Sequence, residues 1–335
     1  MTKVLVASKE PSVFDLLSST APNVELIAAL DTGRIYSSIP MIELAIIDYR
    51  DLVPHPFSVE CIRRLLAKTP IKQCSAQEFL ASPEEYLRIR GSNWRPFELL
   101  AQRTIALTSY SGGTGKTSLA LDTALHFAAK TESRLPLPVA VFELTYGSSA
   151  LNALIRVEAP TIDKLMRQPE LEPGTFHGVT LYPMNYADIR PIPIEHLKRY
   201  LEEQMSHHVL NIIDAVWPWP HGLASLIGEE VDLWIVLTTP RIDAVDNARK
   251  LQRLLSAEHG AEKVAIAVNQ MGGLGASLAL MGFERDIEIP RIQQAEVFFG
   301  GRIGKEILGH VYNSLWAEYE RAGRRRWRLF RRRKA

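Results

Sequence analysis

The chain has 335 residues, long enough for two domains, and its apolar fraction of 46% and charged fraction of 23% are ordinary for a folded globular protein. Its two cysteines, Cys61 and Cys74, cannot build a disulfide framework and lack metal-ligand spacing, and no apolar run is long enough to span a bilayer. The net charge of +1 hides an asymmetry: nine of 39 basic residues fall in 321–335 with no acid beside them, leaving 30 against 38 acidic ones, or −8, over residues 1–320.

The opening MTKVLVASKEPS has too short an apolar run, followed by charge, to be a secretory signal, so a cytoplasmic protein with free thiols is expected. Residues 1–92 read as a small α/β unit. Strands are expected at 3–7, 24–28 and 44–48, with helical spacing at Val13, Leu16 and Leu17 and again over 58–68. That order is the order of a doubly wound parallel sheet. Gly, Ser, Asn and Pro mixed with charges over 90–103 mark a linker, placed at 93–103.

From residue 104 strand and helix signals alternate to about 320. Strands are expected at 105–109, 139–143, 178–182, 209–213, 232–238, 264–268 and 286–289, and helices at 193–205, 241–257 and 303–320. The alternation predicts a mostly parallel sheet with helices on both faces. Between the first strand and a long helix with Leu119, Thr123 and Phe127 on one side lies Ser111-Gly112-Gly113-Thr114-Gly115-Lys116-Thr117. Strand, glycine loop and helix form a phosphate-binding loop: glycines let backbone N–H groups turn inward, and the helix start adds its positive dipole end. Lys116 is then the group that reaches the β- and γ-phosphates, and Thr117, with Ser118 in the same first turn, lies on the Mg²⁺ side. The strict pattern asks for glycine where Tyr110 stands.

Three strand ends complete the candidate site. The apolar run Val209–Ile213 ends in Asp214, expected to hold the metal with Thr117. The run 264–268 ends in Asn269, whose amide can pair with both a donor and an acceptor on an adenine edge. After 286–289, Pro290 and Arg291 can flank the base, and the strand at 139–143 ends in Glu143, a candidate catalytic carboxylate. Beyond 320, Arg324, Arg325 and Arg326 precede Trp327, Leu329 and Phe330 among further arginines. That pattern suits an anionic membrane surface; a protein partner or a solvated tail comes next, and nucleic acid is least favoured.

Residues 1–92 resemble a response-regulator receiver domain, with Asp48 where such domains carry the phospho-acceptor. Ser8 and Lys9 stand where receivers have their metal-binding acids, so the resemblance implies a degenerate receiver with a vestigial Asp48. Residues 104–320 resemble the MinD/ParA branch of phosphate-loop ATPases through the glycine loop, the 139–147 strand and turn, Asp214 and Asn269. A receiver-like domain ahead of such an ATPase resembles the TadZ/CpaE proteins of Tad-type pilus assembly. The resemblance implies ATP and Mg²⁺ as ligands, a homodimer, pilus or secretion proteins as partners, and a place at the inner face of the membrane, at a pole. Three departures imply slow or absent hydrolysis. Ser111 replaces the family's cross-dimer lysine, Thr145 replaces its water-positioning aspartate, and the turn after Asp214 is the bulky 215–220, Ala-Val-Trp-Pro-Trp-Pro. Two other readings are an active positioning ATPase for a chromosome, plasmid or division site, and a signalling adaptor with a structural nucleotide.

Overall fold

A computed structural model describes residues 2–87, 97–217, 227–271, 280–291 and 303–332, with the side chains of Met271 and 322–332 left aside. The chain divides into two compact units, Met1–Ala101 and Gln102–Ala335.

The first unit is a parallel sheet of β1 (Lys3–Ala7), β2 (Glu25–Ala28), β3 (Leu44–Ile47) and β4 (Lys72–Cys74) in the order β2-β1-β3-β4. Its helices are α1 (Pro11–Thr20), α2 (Thr32–Ser38), α3 (Val59–Ala67), α4 (Ala76–Ala81) and α5 (Pro83–Leu87). Alternation along the strands sends Val4, Val6, Leu44 and Ile46 to one face, where Val13, Leu17 and Phe79 of α1 and α4 cover them. The sequence pattern missed α2 and β4. Helix α2 begins Thr32-Gly33-Arg34, a weak run rescued by the Asp31 side chain accepting from Arg34 N–H. β4 is three residues without an alternating pattern. The linker is also shorter than expected: Leu100 is fully buried and its carbonyl accepts from the Tyr36 hydroxyl at 2.7 Å, so 97–101 belong to the first unit.

The second unit is an eight-stranded sheet. Its strands are β5 (Arg103–Thr108), β6 (Val139–Leu144), β7 (Gly174–Phe176), β8 (Val179–Tyr182), β9 (Leu210–Ala215), β10 (Leu233–Thr238), β11 (Val264–Met271) and β12 (Ile287–Pro290). The order is β12-β11-β10-β5-β9-β6-β8-β7, parallel throughout except the terminal β7, which the sequence pattern also missed. Its helices are α6 (Lys116–Thr131), α7 (Ala150–Ile155), α8 (Ile162–Arg167), α9 (Tyr186–Ile189), α10 (Ile194–Met205), α11 (Ile242–His259) and α12 (Gly304–Arg332). One face of the sheet packs Phe142, Ile213, Trp234 and Val236 against α8, α10 and α11 through Leu165, Leu201 and Leu251. The other carries α6 and α12, which meet through Phe127 stacked on Trp316 with ring centroids 6.0 Å apart.

Helix α12 differs from the expected 303–320. It is interrupted at Asn313 (φ 50°, ψ −132°) and then runs on to Arg332. The arginines are good helix formers and no proline follows Tyr319, so nothing ends the helix where the core-facing pattern stops. Its start is clamped to α6: the Asp122 carboxylate accepts from the N–H groups of Ile303 and Gly304, both at 2.8 Å.

Candidate functional site

Strand β5 is buried along Ile105, Ala106 and Leu107 and opens at the carboxyl edge of the sheet into the glycine loop. Gly113 (φ 68°) and Gly115 (φ 86°) are left-handed, a conformation that a side chain would strain. A Cβ at Gly112 or Gly113 would meet nothing within 4 Å. Inside the loop the hydroxyls are already ordered. Ser109 Oγ donates to the Ser111 carbonyl at 2.8 Å and accepts from Lys116 Nζ at 3.0 Å, and Thr114 Oγ1 lies 3.1 Å from it. Burial lowers the Lys116 pKa, against the pull of Asp214.

Asp214 stands beside Leu107 in one neighbouring strand and Glu143 in the other. Thr117 Oγ1 donates to its Oδ2 at 2.5 Å, while its Oδ1 is buried without a partner among the described residues. Burial pushes the Asp214 carboxyl up to about 6, with Glu143 adding to the rise and Thr117 and Lys116 opposing it. A buried carboxylate oxygen with no donor, next to a threonine hydroxyl and a lysine, fits a hard divalent cation that also takes phosphate oxygens. Among the described residues no group of three or more His, Cys, Asp or Glu forms a cage, so such a cation would rely on Thr117, Asp214 and the phosphates. Ser118 is half-buried in the first turn of α6.

Glu143 is fully buried, and its carboxylate accepts from Ser149 Oγ and from the N–H groups of Ala150, Leu151 and Met184. It caps α7 and fastens the loop before it. Asn269 points into the loop: its Nδ2 donates to the Thr114 carbonyl at 2.8 Å and its Oδ1 accepts from Gln270 N–H at 2.8 Å. These bonds engage one of the amide's two N–H groups and one lone pair of its oxygen. Pro290 ends β12 and is exposed like Arg291, beside β11.

The departures from the family pattern also have neighbours. Ser111 Oγ accepts from Asn247 Nδ2 of α11 at 3.4 Å, and the Tyr110 hydroxyl accepts from Trp217 Nε1 at 3.1 Å. The unusual loop residue and the unusual turn after Asp214 therefore touch each other. Among the described residues the Thr145 hydroxyl is buried without a partner. In the first unit, Asp48 is half-buried and its Oδ1 accepts from Ala76 N–H at 3.2 Å, which caps α4. The side chains of Arg324, Arg325, Arg326, Trp327, Leu329 and Phe330 lie outside the described residues, although their backbone is helical. Sequence reasoning missed Ser109, whose signal was a polar residue closing an apolar strand directly before the glycines.

No family model matches the chain, and no curated protein does. Among solved structures it is similar to a ParA-family ATPase from Chlorobium tepidum TLS, at 16% identity and a TM-score of 0.50, over 66% of this chain and 98% of that one. The fold is that of the ParA-family ATPases. Also similar, at 16% identity and a TM-score of 0.48, is the septum site-determining protein MinD complexed with Mg-ADP from Pyrococcus horikoshii OT3, over 66% of this chain and 94% of that one. The MinC:MinD cell division complex of Aquifex aeolicus matches with the same identity and TM-score, over 65% and 95%. In open parallel sheets ligands lie outside the carboxyl ends of the strands, and Lys116, Asp214 and Asn269 stand towards that edge, after β5 and near the ends of β9 and β11.

Proposed function

We propose that the chain binds ATP with Mg²⁺ and works as a dimeric localisation or assembly factor that turns the nucleotide over slowly or not at all. The observation that carries the reading is the meeting of Lys116, Thr117 and Asp214 beside the glycine loop, with Asp214 Oδ1 lacking a donor among the described residues. In it the backbone amides from Gly112 to Thr117 and Lys116 bind the phosphates, and Thr117 and Asp214 hold the cation. The cation, when bound, neutralises phosphate charge; the protein's part is orientation and exclusion of water. Slow turnover is supported by three residues. Ser111 carries no charge, Thr145 offers a hydroxyl that cannot act as a base, and Glu143 is committed to capping α7.

The role in a Tad-type pilus or secretion apparatus rests on the order of a receiver-like unit followed by a ParA-type unit. In this reading the first unit is a docking or dimerisation surface, and the caps that Asp48 and Asp51 provide favour a structural use of its acids. The run of arginines after residue 320 supports a reading in which the protein lies against an anionic membrane at the inner face, with pilus or secretion proteins as partners. Among the described residues no helix is long and apolar enough to cross a membrane. The test is a steady-state ATPase assay paired with ATP binding on the same preparation. The reading expects saturable binding with turnover near background. Robust turnover that disappears in Lys116→Ala would instead make the chain an active positioning ATPase.

A further inference from the structure

Beside the phosphate loop lies a cleft of about 740 Å³ lined by Tyr110, Asn247, Lys250, Arg253 and Leu254. Leu254 is 45% exposed and Tyr110 36%, so two large apolar side chains stand in water next to two cations. Lys250 is paired with Asp246 at 2.6 Å, but Arg253 has no ion pair among the described residues. The cleft is thus a basic spot on a body that carries −8 over residues 1–320. Residues 169–173, Pro-Glu-Leu-Glu-Pro, show the reverse pattern. Leu171 is 36% exposed between Glu170 and Glu172, which are exposed and have no ion pair among the described residues. The turn is preordered: Leu171 N–H donates to the Gln168 carbonyl at 2.9 Å, and a Cβ on Gly174 would lie 2.5 Å from that of Ala159. Both features lie towards the carboxyl edge of the sheet. Tyr110 follows β5, and the turn leads into β7, whose Gly174 pairs with Leu181 near the end of β8. Helices α8, which precedes the turn, and α11 cover the same face. β5 and β7 are four strand spacings apart, about 19 Å, so a chain's own turn does not reach its own cleft.

We propose that the cleft beside the phosphate loop receives the Glu170-Leu171-Glu172 turn of a second copy of this chain. The proposal rests on the dimeric reading above and names its contact. Leu171 covers Leu254 and the Tyr110 ring, and the two glutamates meet Lys250 and Arg253. A twofold axis crossing the carboxyl edge between cleft and turn seats each copy's turn in the other's cleft, a closed pair with two identical contacts. Two acidic bodies repel at long range, so a stable pair needs opposite charges set face to face, which cleft and turn supply. A nucleic acid would ask for a row of cations along its phosphates, whereas the cleft offers two beside an apolar wall.

Sedimentation equilibrium, with and without Mg·ATP, tests it on two charge-reversed chains. One carries Lys250→Glu and Arg253→Glu, the other Glu170→Lys and Glu172→Lys. All four side chains are exposed, so both variants should keep the wild-type melting temperature. Each alone sets like charges against each other at both contacts, and its dimer should weaken by at least about tenfold. Mixed in equal amounts, the two chains match at both contacts: the reversed cleft meets the reversed turn, and the original cleft meets the original turn. A heterodimer of wild-type strength should therefore form, a rescue that a merely destabilised chain does not show. Variants that dimerise as the wild type does, or weakened variants that stay apart on mixing, overturn the contact while the wild-type dimer stands. The cleft is then left to an acidic segment of another protein. A wild type that is monomeric in both conditions overturns the dimeric reading itself, and the proposal with it.

Discussion

Replacing Asp214 with Asn should make the metal-free protein more stable at neutral pH and abolish its response to magnesium nucleotide. Burial raises the Asp214 carboxyl from 3.8 to about 6. The folded chain therefore holds this proton more tightly than the unfolded chain does. Stability from this group is greatest below pH 3.8, falls as pH rises towards 6, and stays at its reduced level above that. A shift of about two pK units corresponds to about 3 kcal/mol at pH 7. Lys116, itself pushed down by burial, loses an attractive neighbour in the variant and takes back part of that gain. The net gain is about 1–2 kcal/mol, which in a unit of this size raises the melting temperature by about 3–6 °C. Calorimetric melts in EDTA at pH 7.5 and pH 4 measure it: the variant should melt higher at pH 7.5, and the gap should narrow at pH 4. With Mg·ATP added, only the wild type should gain. A variant that melts lower than wild type at pH 7.5 in EDTA, or that gains as much from Mg·ATP, would refute the account of a charge awaiting a cation.

Glu143→Gln turns an amide NH₂ towards buried backbone donors, so urea denaturation should show a loss of about 2–3 kcal/mol. An unchanged stability would return Glu143 to a catalytic role. Gly304→Ala puts a Cβ 2.3 Å from Thr123 Cα, and overpacking between α12 and α6 should cost about 2–3 kcal/mol. Limited proteolysis should then cut before α12 sooner than in wild type; an equal rate would mean the clamp is not needed. Truncation after Arg321 should abolish flotation with vesicles containing anionic lipid, each basic residue near such a surface contributing about 1 kcal/mol. Equal binding to neutral vesicles would contradict the electrostatic account.

Lys116, Thr117 and Asp214 were legible in the sequence because their positions follow from local rules. A glycine run between strand and helix fixes the lysine, and a buried parallel strand delivers its last acid to the carboxyl edge. The roles of Glu143 and Asn269 were not legible, because each depends on partners distant in the chain. Met184 reaches Glu143 across 41 residues, and Thr114 meets Asn269 across 155. The mostly parallel sheet followed from the alternation of strand and helix signals, whereas β4 and β7, three residues each, are too short to show a period. The extension of α12 past residue 320 was hidden by a change of environment: the core-facing spacing stops at Tyr319 while helix propensity continues.

The central claim is that the loop from Tyr110 to Thr117, with Asp214 beside it, receives a nucleotide's triphosphate and its metal. Isothermal titration of Mg·ATP into wild type and Lys116→Ala tests it most directly. The account predicts one saturable site in wild type and an affinity at least about a hundredfold weaker in the variant, since the lysine is the loop's one mobile charge on the phosphates. No heat of binding at millimolar Mg·ATP, or equal binding by the variant, would contradict it.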